Sequence, residues 1–105
     1  MMLETDHTWA STGGTSGGLT AIYLGAGCQY SALYIQCSTL ASTESVSFQT
    51  AAESSGPWFT EGSTSLSSAL AQTAVLRVTG PYKWMRPYLN SVSTGTYNFR
   101  LTAVS

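Results

Sequence analysis

The chain has 105 residues, few charges and a net charge of −1, and these properties exclude several classes of protein. The length suits one domain with a modest core and leaves little room for a deep active-site cleft. With charged residues at only 9%, the chain lacks the basic patch required for binding nucleic acid or anionic lipid, so we expect neither nucleic acid nor membrane as a partner. Serine and threonine supply most of the polarity, as in many extracellular β-proteins and virus shells.

The N-terminal sequence MMLETDHTWASTGG has neither the basic nor the apolar region of a secretory signal, so we expect either synthesis in the cytoplasm or a processed product. It leads into the tract ASTGGTSGG, which is typical of a flexible linker or a wide loop. We predict a flexible N-terminal arm over residues 1–18, with Trp9 as its anchor on a partner. The alternative is a frayed first strand in which Trp9 covers the core.

Residues 19–105 are predicted to form one β-domain, because short apolar runs alternate with turn residues. LTAIYL, YSALYIQC and ESVSFQTA are predicted strands, and SSGPWFTEG is predicted to be a turn followed by a short aromatic strand. STSLSSALAQ is either a brief helical turn or a loop. The C-terminal run VLRVTGPYKWMRPYLNSVSTGTYNFRLTAV predicts three more strands. Seven or eight short antiparallel strands indicate an all-β fold, a single small β-sandwich of the jelly-roll or immunoglobulin-like type.

The two cysteines, Cys28 and Cys37, flank a segment that is predicted to be extended. Such a segment would hold the two sulfur atoms about 30 Å apart, whereas a disulfide requires Cα atoms within about 7 Å. We therefore expect both thiols to be free and packed as small apolar groups.

The sequence offers no convincing catalytic or metal-binding constellation. Its single histidine, His7, lies in the predicted arm, and neither cysteine has a CxxC partner. The carboxylates outside the arm are Glu44, Glu53 and Glu61, and the last two flank a turn, where carboxylates usually serve solubility. We expect no enzymatic activity, no cofactor, and no metal site.

The aromatic residues are the best candidates for recognition. In the predicted strand after Gly80-Pro81, alternate residues face opposite sides. One side has Tyr82, Trp84, Arg86 and Tyr88, and the other has Met85, Pro87 and Leu89. If the aliphatic parity points into the core, the other parity forms an exposed stripe of the residue types enriched at protein–protein hot spots. We predict this stripe, with Trp9, as an interface. The alternative is that Trp84 fills the core and Arg86 is an edge charge.

Trp58 and Phe59 lie beside a loop, and they are the candidates for stacking on a sugar ring. A lone exposed tryptophan beside a loop favours a carbohydrate ligand, whereas a continuous stripe favours a protein partner. The stripe is the stronger signal in this sequence.

The segments SVSFQT, SSGPWFTEGS and VLRVTGPYKWMRPYLNSVSTGTYNFRLTAV together resemble small β-sandwich structural proteins of tailed bacteriophages. The resemblance covers about residues 44–104. It rests on a turn leading to a tryptophan, a Gly-Pro-aromatic step and a closing alternating strand. The Asp-Gly usual before the tryptophan is here Ser55-Gly56-Pro57, which keeps the turn but lacks the carboxylate.

The resemblance implies a virion protein that performs no chemistry, such as a capsid decoration or cement protein bound at capsomer junctions, or part of a head or tail appendage. Its expected partners are the major capsid protein or other virion proteins, together with copies of itself, most simply as a trimer. Its expected location is the virion, after synthesis in the host cytoplasm. The alternative function is a carbohydrate-binding or adhesion module of an appendage.

Overall fold

The computed structural model describes residues 4–24, 29–79 and 83–104, and over these residues the chain forms nine β-strands. The strands are β1 Glu4–Ser11, β2 Gly17–Gly18, β3 Ile22–Tyr23, β4 Tyr30–Cys37, β5 Glu44–Ala51, β6 Phe59–Leu66, β7 Gln72–Thr79, β8 Trp84–Leu89 and β9 Tyr97–Val104. The predicted all-β class is confirmed. The described segments include no helix long and apolar enough to cross a membrane.

The strands form two antiparallel sheets with jelly-roll topology. Sheet A has the order β1-β9-β4-β7, and sheet B has the order β2-β8-β5-β6, with β3 also paired to β8. The first half of the chain therefore pairs in reverse order with the second half: β1 with β9, β2 and β3 with β8, β4 with β7, and β5 with β6. The pairs β4–β9 and β5–β8 roll this long hairpin into two layers. Of the two sandwich types expected, the structure has the jelly roll.

The core lies between the two sheets and follows from period-two alternation. Residues of one parity on each long inner strand are almost fully buried: Leu33, Ile35, Val46, Phe48, Met85, Leu89, Phe99 and Leu101. Each such side chain contributes roughly 1.5–3 kcal/mol relative to an exposed position. Cys37 is a free, buried thiol of the same core, and Cys28 lies outside the described residues.

In the described part of the predicted arm, residues 4–18, the chain belongs to the sandwich, in contrast to the flexible arm that we expected over residues 1–18. Strand β1 pairs with β9 along its whole length, and Gly17–Gly18 pairs with β8. Trp9 is buried, and its indole Nε1 donates a hydrogen bond to the carbonyl oxygen of Thr20 at 2.8 Å. The alternative, a first strand with Trp9 covering the core, matches this arrangement. The hydrogen bonds between strands join backbone N–H and C=O groups. A strand with few apolar side chains, such as β1, can therefore still pair.

A buried carboxylate connects the two sheets at one end of the sandwich. Glu44, the first residue of β5, is 4% exposed, and its Oε1 accepts a hydrogen bond from the hydroxyl of Tyr97 in β9 at 2.7 Å. Its Oε2 accepts hydrogen bonds from the backbone N–H of Thr94, at 2.8 Å, and from the hydroxyl of the same residue. Burial raises the pKa of Glu44, but these hydrogen bonds outweigh it and hold the pKa below the ordinary value of 4.5. Burial and the neighbouring carboxylate raise the pKa of Tyr97.

Candidate functional site

Strand β8 presents its two parities to opposite sides of sheet B, as the sequence predicted. Met85, Pro87 and Leu89 are buried in the core. Trp84, Arg86 and Tyr88 are half-buried on the outer face of the sheet. The alternative in which Trp84 fills the core does not fit this arrangement. Tyr82, the fourth residue of the predicted stripe, lies outside the described residues.

Arg86 lies at the centre of this face, between aromatic rings. Its Cζ atom is 4.2 Å from the ring centroid of Trp58 and 5.6 Å from that of Tyr88. Its Nε donates a hydrogen bond to Oε1 of Gln49 on β5 at 2.9 Å. A guanidinium held over an aromatic face gains about 0.5–1 kcal/mol when exposed and up to ~2 kcal/mol when desolvated. The side chain is therefore held in place before any partner binds.

The glycine tract makes room for this arginine. A Cβ atom added at Gly18 of β2 would lie 2.6 Å from Cζ of Arg86. The sequence predicted this tract to be a flexible linker or a wide loop, and no local pattern indicated its role beside Arg86. Glycine at this position allows the guanidinium to lie against the backbone of the edge strand.

Trp84 has a second aromatic neighbour. The ring of Tyr23, the register partner of Trp84 on β3, lies 5.2 Å away between centroids, at an interplanar angle of 54°. Tyr23 is 54% exposed and was not among the predicted site residues. We refer to the side chains of these two contacting groups together as the aromatic–arginine cluster: Tyr23, Trp58, Trp84, Arg86 and Tyr88.

A hydroxyl-rich patch continues the outer face of sheet B beside the cluster. The hydroxyls of Ser47 and Ser63 lie 2.8 Å apart on adjacent strands. The side-chain amide of Asn90 donates to the hydroxyls of Ser45 and Ser47, at 2.8 Å each. This patch carries polarity without charge, so a partner can cover it without burying an unpaired ion.

The other predicted site residues are Trp9, Trp58 and Phe59, and they differ from one another in burial and in contacts. Trp9 belongs to the core, so this conformation leaves its ring little surface for a partner, in contrast to the predicted interface role. Trp58 has one ring face occupied by Arg86, whereas Phe59 is 61% exposed on the edge strand β6. The structure thus separates the two residues proposed for sugar stacking and joins Trp58 to the cluster.

Metal-binding side chains do not cluster among the described residues. Within those segments, no group of three or more His, Cys, Asp and Glu side chains is placed to hold a metal ion. His7 packs edge-on against Trp9, with 4.5 Å between ring centroids.

No family model matches the sequence, and no curated protein matches it. Solved structures do resemble the fold. A protein of the disulfide-linked pili that Bacillus endospore appendages form has a TM-score of 0.64 at 12% identity, covering 98% of this chain and 86% of that chain. The K1 cleaved adhesin domain of Lys-gingipain from Porphyromonas gingivalis W83 has a TM-score of 0.59 at 8% identity, covering 100% and 98%. The PBSX exported protein XepA has a TM-score of 0.56 at 8% identity, covering 96% of this chain and 36% of that chain.

These neighbours include pilus, adhesin and exported proteins, so the fold is one that structural and adhesion-type proteins use. At such identities the likeness concerns the fold alone.

Proposed function

We propose that this chain is a non-enzymatic structural subunit that docks on a partner protein through the aromatic–arginine cluster. The observation that carries the proposal is that Trp84, Arg86 and Tyr88 form a contiguous, half-buried group on the outer face of sheet B. Tryptophan, tyrosine and arginine dominate binding energy at protein interfaces, chiefly where the side chains are already held in position. The rigid contacts of Arg86 supply that preorganisation.

The specific role we propose is that of a phage capsid decoration protein that stabilises the head at capsomer junctions. The resemblance of residues 44–104 to tailed-phage structural proteins supports this role, as does a charge-poor outer face that suits burial against a neighbouring subunit. The proposed partners are the major capsid protein or another virion protein, together with copies of this chain in a trimer whose subunits meet at the aromatic–arginine cluster. An appendage role is compatible with the same features, and the pilus-type and exported neighbours support it at the level of fold.

An adhesion function is the second candidate. The observation that favours it is the exposure of Phe59, which leaves a large aromatic ring open to solvent at an edge strand. In this function the ring would stack on a saccharide of a surface glycan. If a Phe59→Ala variant binds such glycans as the wild type does, this residue has no role in adhesion.

The docking proposal is tested by the mass of the purified protein in solution, measured by light scattering. We expect an oligomer for the wild type and a smaller species for Trp84→Ala and Arg86→Ala. Arg77→Ala is the matched control, because Arg77 is an exposed arginine on sheet A, and its mass should equal that of the wild type. An oligomer that persists unchanged in both cluster variants contradicts the proposed interface. A monomeric wild type contradicts self-assembly in solution, and co-sedimentation of the same variants with phage particles then tests docking.

A further inference from the structure

The outer face of sheet A, on the opposite side of the sandwich from the cluster, contains a depression of about 710 Å³. Three consecutive residues from each strand of this sheet line it: 8–10, 34–36, 73–75 and 98–100. No lining residue belongs to sheet B, so the depression opens to solvent and not into the core. Its volume lies within the range of about 300–1,000 Å³ that is typical of small-ligand sites.

Strand register arranges the outward side chains of this depression in two rows across the sheet. The first row contains Thr8, Arg100, Tyr34 and Val75, and the second contains Ala10, Asn98, Gln36 and Thr73. Adjacent strands lie about 4.8 Å apart, so each row extends for roughly 14 Å. This width fits a short linear ligand that lies across the strands.

The side chains in the rows combine a flat apolar surface with neutral hydrogen-bonding groups. Tyr34 is 46% exposed, and its ring is available to a ligand. Gln36 and Asn98 are direct register partners in the next row, and both are exposed. Within the described part of the chain, neither amide has a hydrogen-bond partner. An aromatic ring can cover the C–H face of a sugar while amides donate to and accept from its hydroxyls.

The charge of the depression selects between classes of ligand. Arg100 is its only ionised side chain, and Nη2 of that residue lies 3.4 Å from Oδ2 of Asp6. The same carboxylate accepts a hydrogen bond from the hydroxyl of Thr102 at 2.9 Å. The site is therefore close to neutral, which disfavours phosphates and acidic polymers. A second copy of the chain is also disfavoured, because the rows are mostly polar whereas homodimer interfaces are largely apolar.

We propose that this depression binds a neutral oligosaccharide, with Tyr34 as the stacking platform and Gln36 and Asn98 as hydrogen-bonding partners of the sugar hydroxyls. The inference goes beyond the docking function, because it concerns the opposite sheet and different residues. A subunit that docks through sheet B keeps sheet A directed away from its partner.

The test is an NMR titration of the ¹⁵N-labelled full chain with chitotetraose and with cellotetraose at millimolar concentrations. We expect shift changes centred on residues 34–36 and 98–100 with at least one of the two saccharides. Tyr34→Ala should weaken that binding about tenfold or more, whereas Tyr34→Phe, which keeps the ring, should bind within about threefold of the wild type. Leu70→Ala removes an exposed apolar side chain outside the depression and should bind as the wild type does.

Three outcomes would overturn the proposal. The first is the absence of shift changes in the depression with both saccharides. The second is binding that survives Tyr34→Ala but is lost in Phe59→Ala, which would assign the sugar site to the edge strand β6. The third comes from a parallel titration with trigalacturonate, an acidic saccharide. If it binds more tightly than either neutral saccharide, the face is assigned to an acidic ligand. The titration measures saccharide binding and the light scattering measures oligomer mass, so failure of the first leaves the second result for sheet B unaffected.

Discussion

The outer faces of the two sheets use similar residue types in different ways. On sheet B, Arg86 contacts two aromatic rings and the amide of Gln49, so the side chains of this face hold one another in place. On sheet A, Tyr34 and Gln36 are exposed, and both project from β4 separately. Because side chains alternate along every strand, each sheet has an outer face, and this alternation does not explain how the two faces differ. What differs is the contacts of the aromatic and amide side chains. On sheet B these side chains contact Arg86 from neighbouring segments, whereas on sheet A the side-chain contacts between strands join Asp6 to Arg100 and Thr102. The face of sheet B is therefore preformed around Arg86, and the part of sheet A that carries Tyr34 and Gln36 is more open.

This difference has an energetic consequence. Substitutions on the outer face of sheet B should change the free energy of unfolding, because they remove internal contacts. Substitutions on the outer face of sheet A should change ligand binding and leave unfolding nearly untouched. Stability measurements can therefore separate the two faces without knowledge of any partner.

The largest effect is expected where the two sheets are joined, at Glu44. Glu44→Gln removes a buried charge that accepts hydrogen bonds from Tyr97 and Thr94, and it should lower the free energy of unfolding by about 2 kcal/mol. Urea unfolding at pH 7 measures the change. Because both faces depend on this connection, one transition should report the loss in both sheets.

The same residue makes stability depend on pH in a predictable direction. The pKa of Glu44 is lowered in the folded protein, so its stabilisation is complete above the ordinary value of 4.5 and is lost as the pH falls through the lower folded value. Wild-type stability should therefore decrease below about pH 4.5, and Glu44→Gln should lack this part of the decrease. Parallel pH profiles for the two proteins would contradict the assignment of the titration to Glu44.

The next largest effect is expected at Gly18, whose missing side chain makes room for Arg86. Gly18→Ala should cost up to about 2 kcal/mol, because the guanidinium at the end of the flexible Arg86 side chain must leave its position between the rings. Gly62→Ala is the matched control on the same sheet, since the nearest atom to its added Cβ, Cδ2 of Leu76, lies at an ordinary 3.8 Å. Thermal unfolding compares the two variants. Equal losses would mean that strand backbone effects, and not Arg86, determine the cost at Gly18.

A comparable effect is expected for Arg86→Ala, which removes the guanidinium from the rings and from Gln49. We expect a loss of about 1–2 kcal/mol, against no more than ~0.5 kcal/mol for Arg77→Ala on sheet A. Urea unfolding of both variants measures this contrast between the faces. In the double variant Gly18→Ala/Arg86→Ala the two losses should not add, because each removes the same contacts. Full additivity would contradict the contact between Gly18 and Arg86.

The smallest effect is expected for Tyr34→Ala, which should change stability by no more than about 0.5 kcal/mol, because this residue is already 46% exposed in the folded protein. Tyr88→Ala removes the same type of side chain from the cluster and should cost about 1 kcal/mol. The same unfolding measurement on both variants sharpens the contrast between the faces. A large loss of stability for Tyr34→Ala would mean that Tyr34 packs tightly against neighbouring side chains of sheet A.

The strands in which apolar and polar residues alternate were the easiest to predict from the sequence. In β9 the alternation identified which side chains enter the core, for example Phe99. In β8 it separated the two faces but left open which of them is buried. Strand β1 was mistaken for an arm because Trp9 is the one large apolar residue among its buried positions. Strand β6 was only partly predicted, because its serine and threonine side chains carry little apolar signal at the edge of a sheet.

The candidate site was only half predictable for a different reason. Trp84, Arg86 and Tyr88 share a strand, so their common face follows from local geometry. The contacts of Arg86 with Trp58 and Gly18 join segments that are distant in the chain, and no local pattern encodes them. The choice of a jelly roll over an immunoglobulin-like sandwich likewise depends on which distant strands pair.

The position of β9 has a consequence for how the chain folds as it is synthesised. Strand β9 lies between β1 and β4, so β1 has no strand to pair with until the last segment of the sandwich has left the ribosome. Nearly all native pairings join residues far apart in sequence, which makes folding slow relative to helical proteins of the same size. Nascent chains arrested before residue 97 should therefore remain sensitive to proteases, and protection should rise abruptly once Tyr97–Val104 emerges.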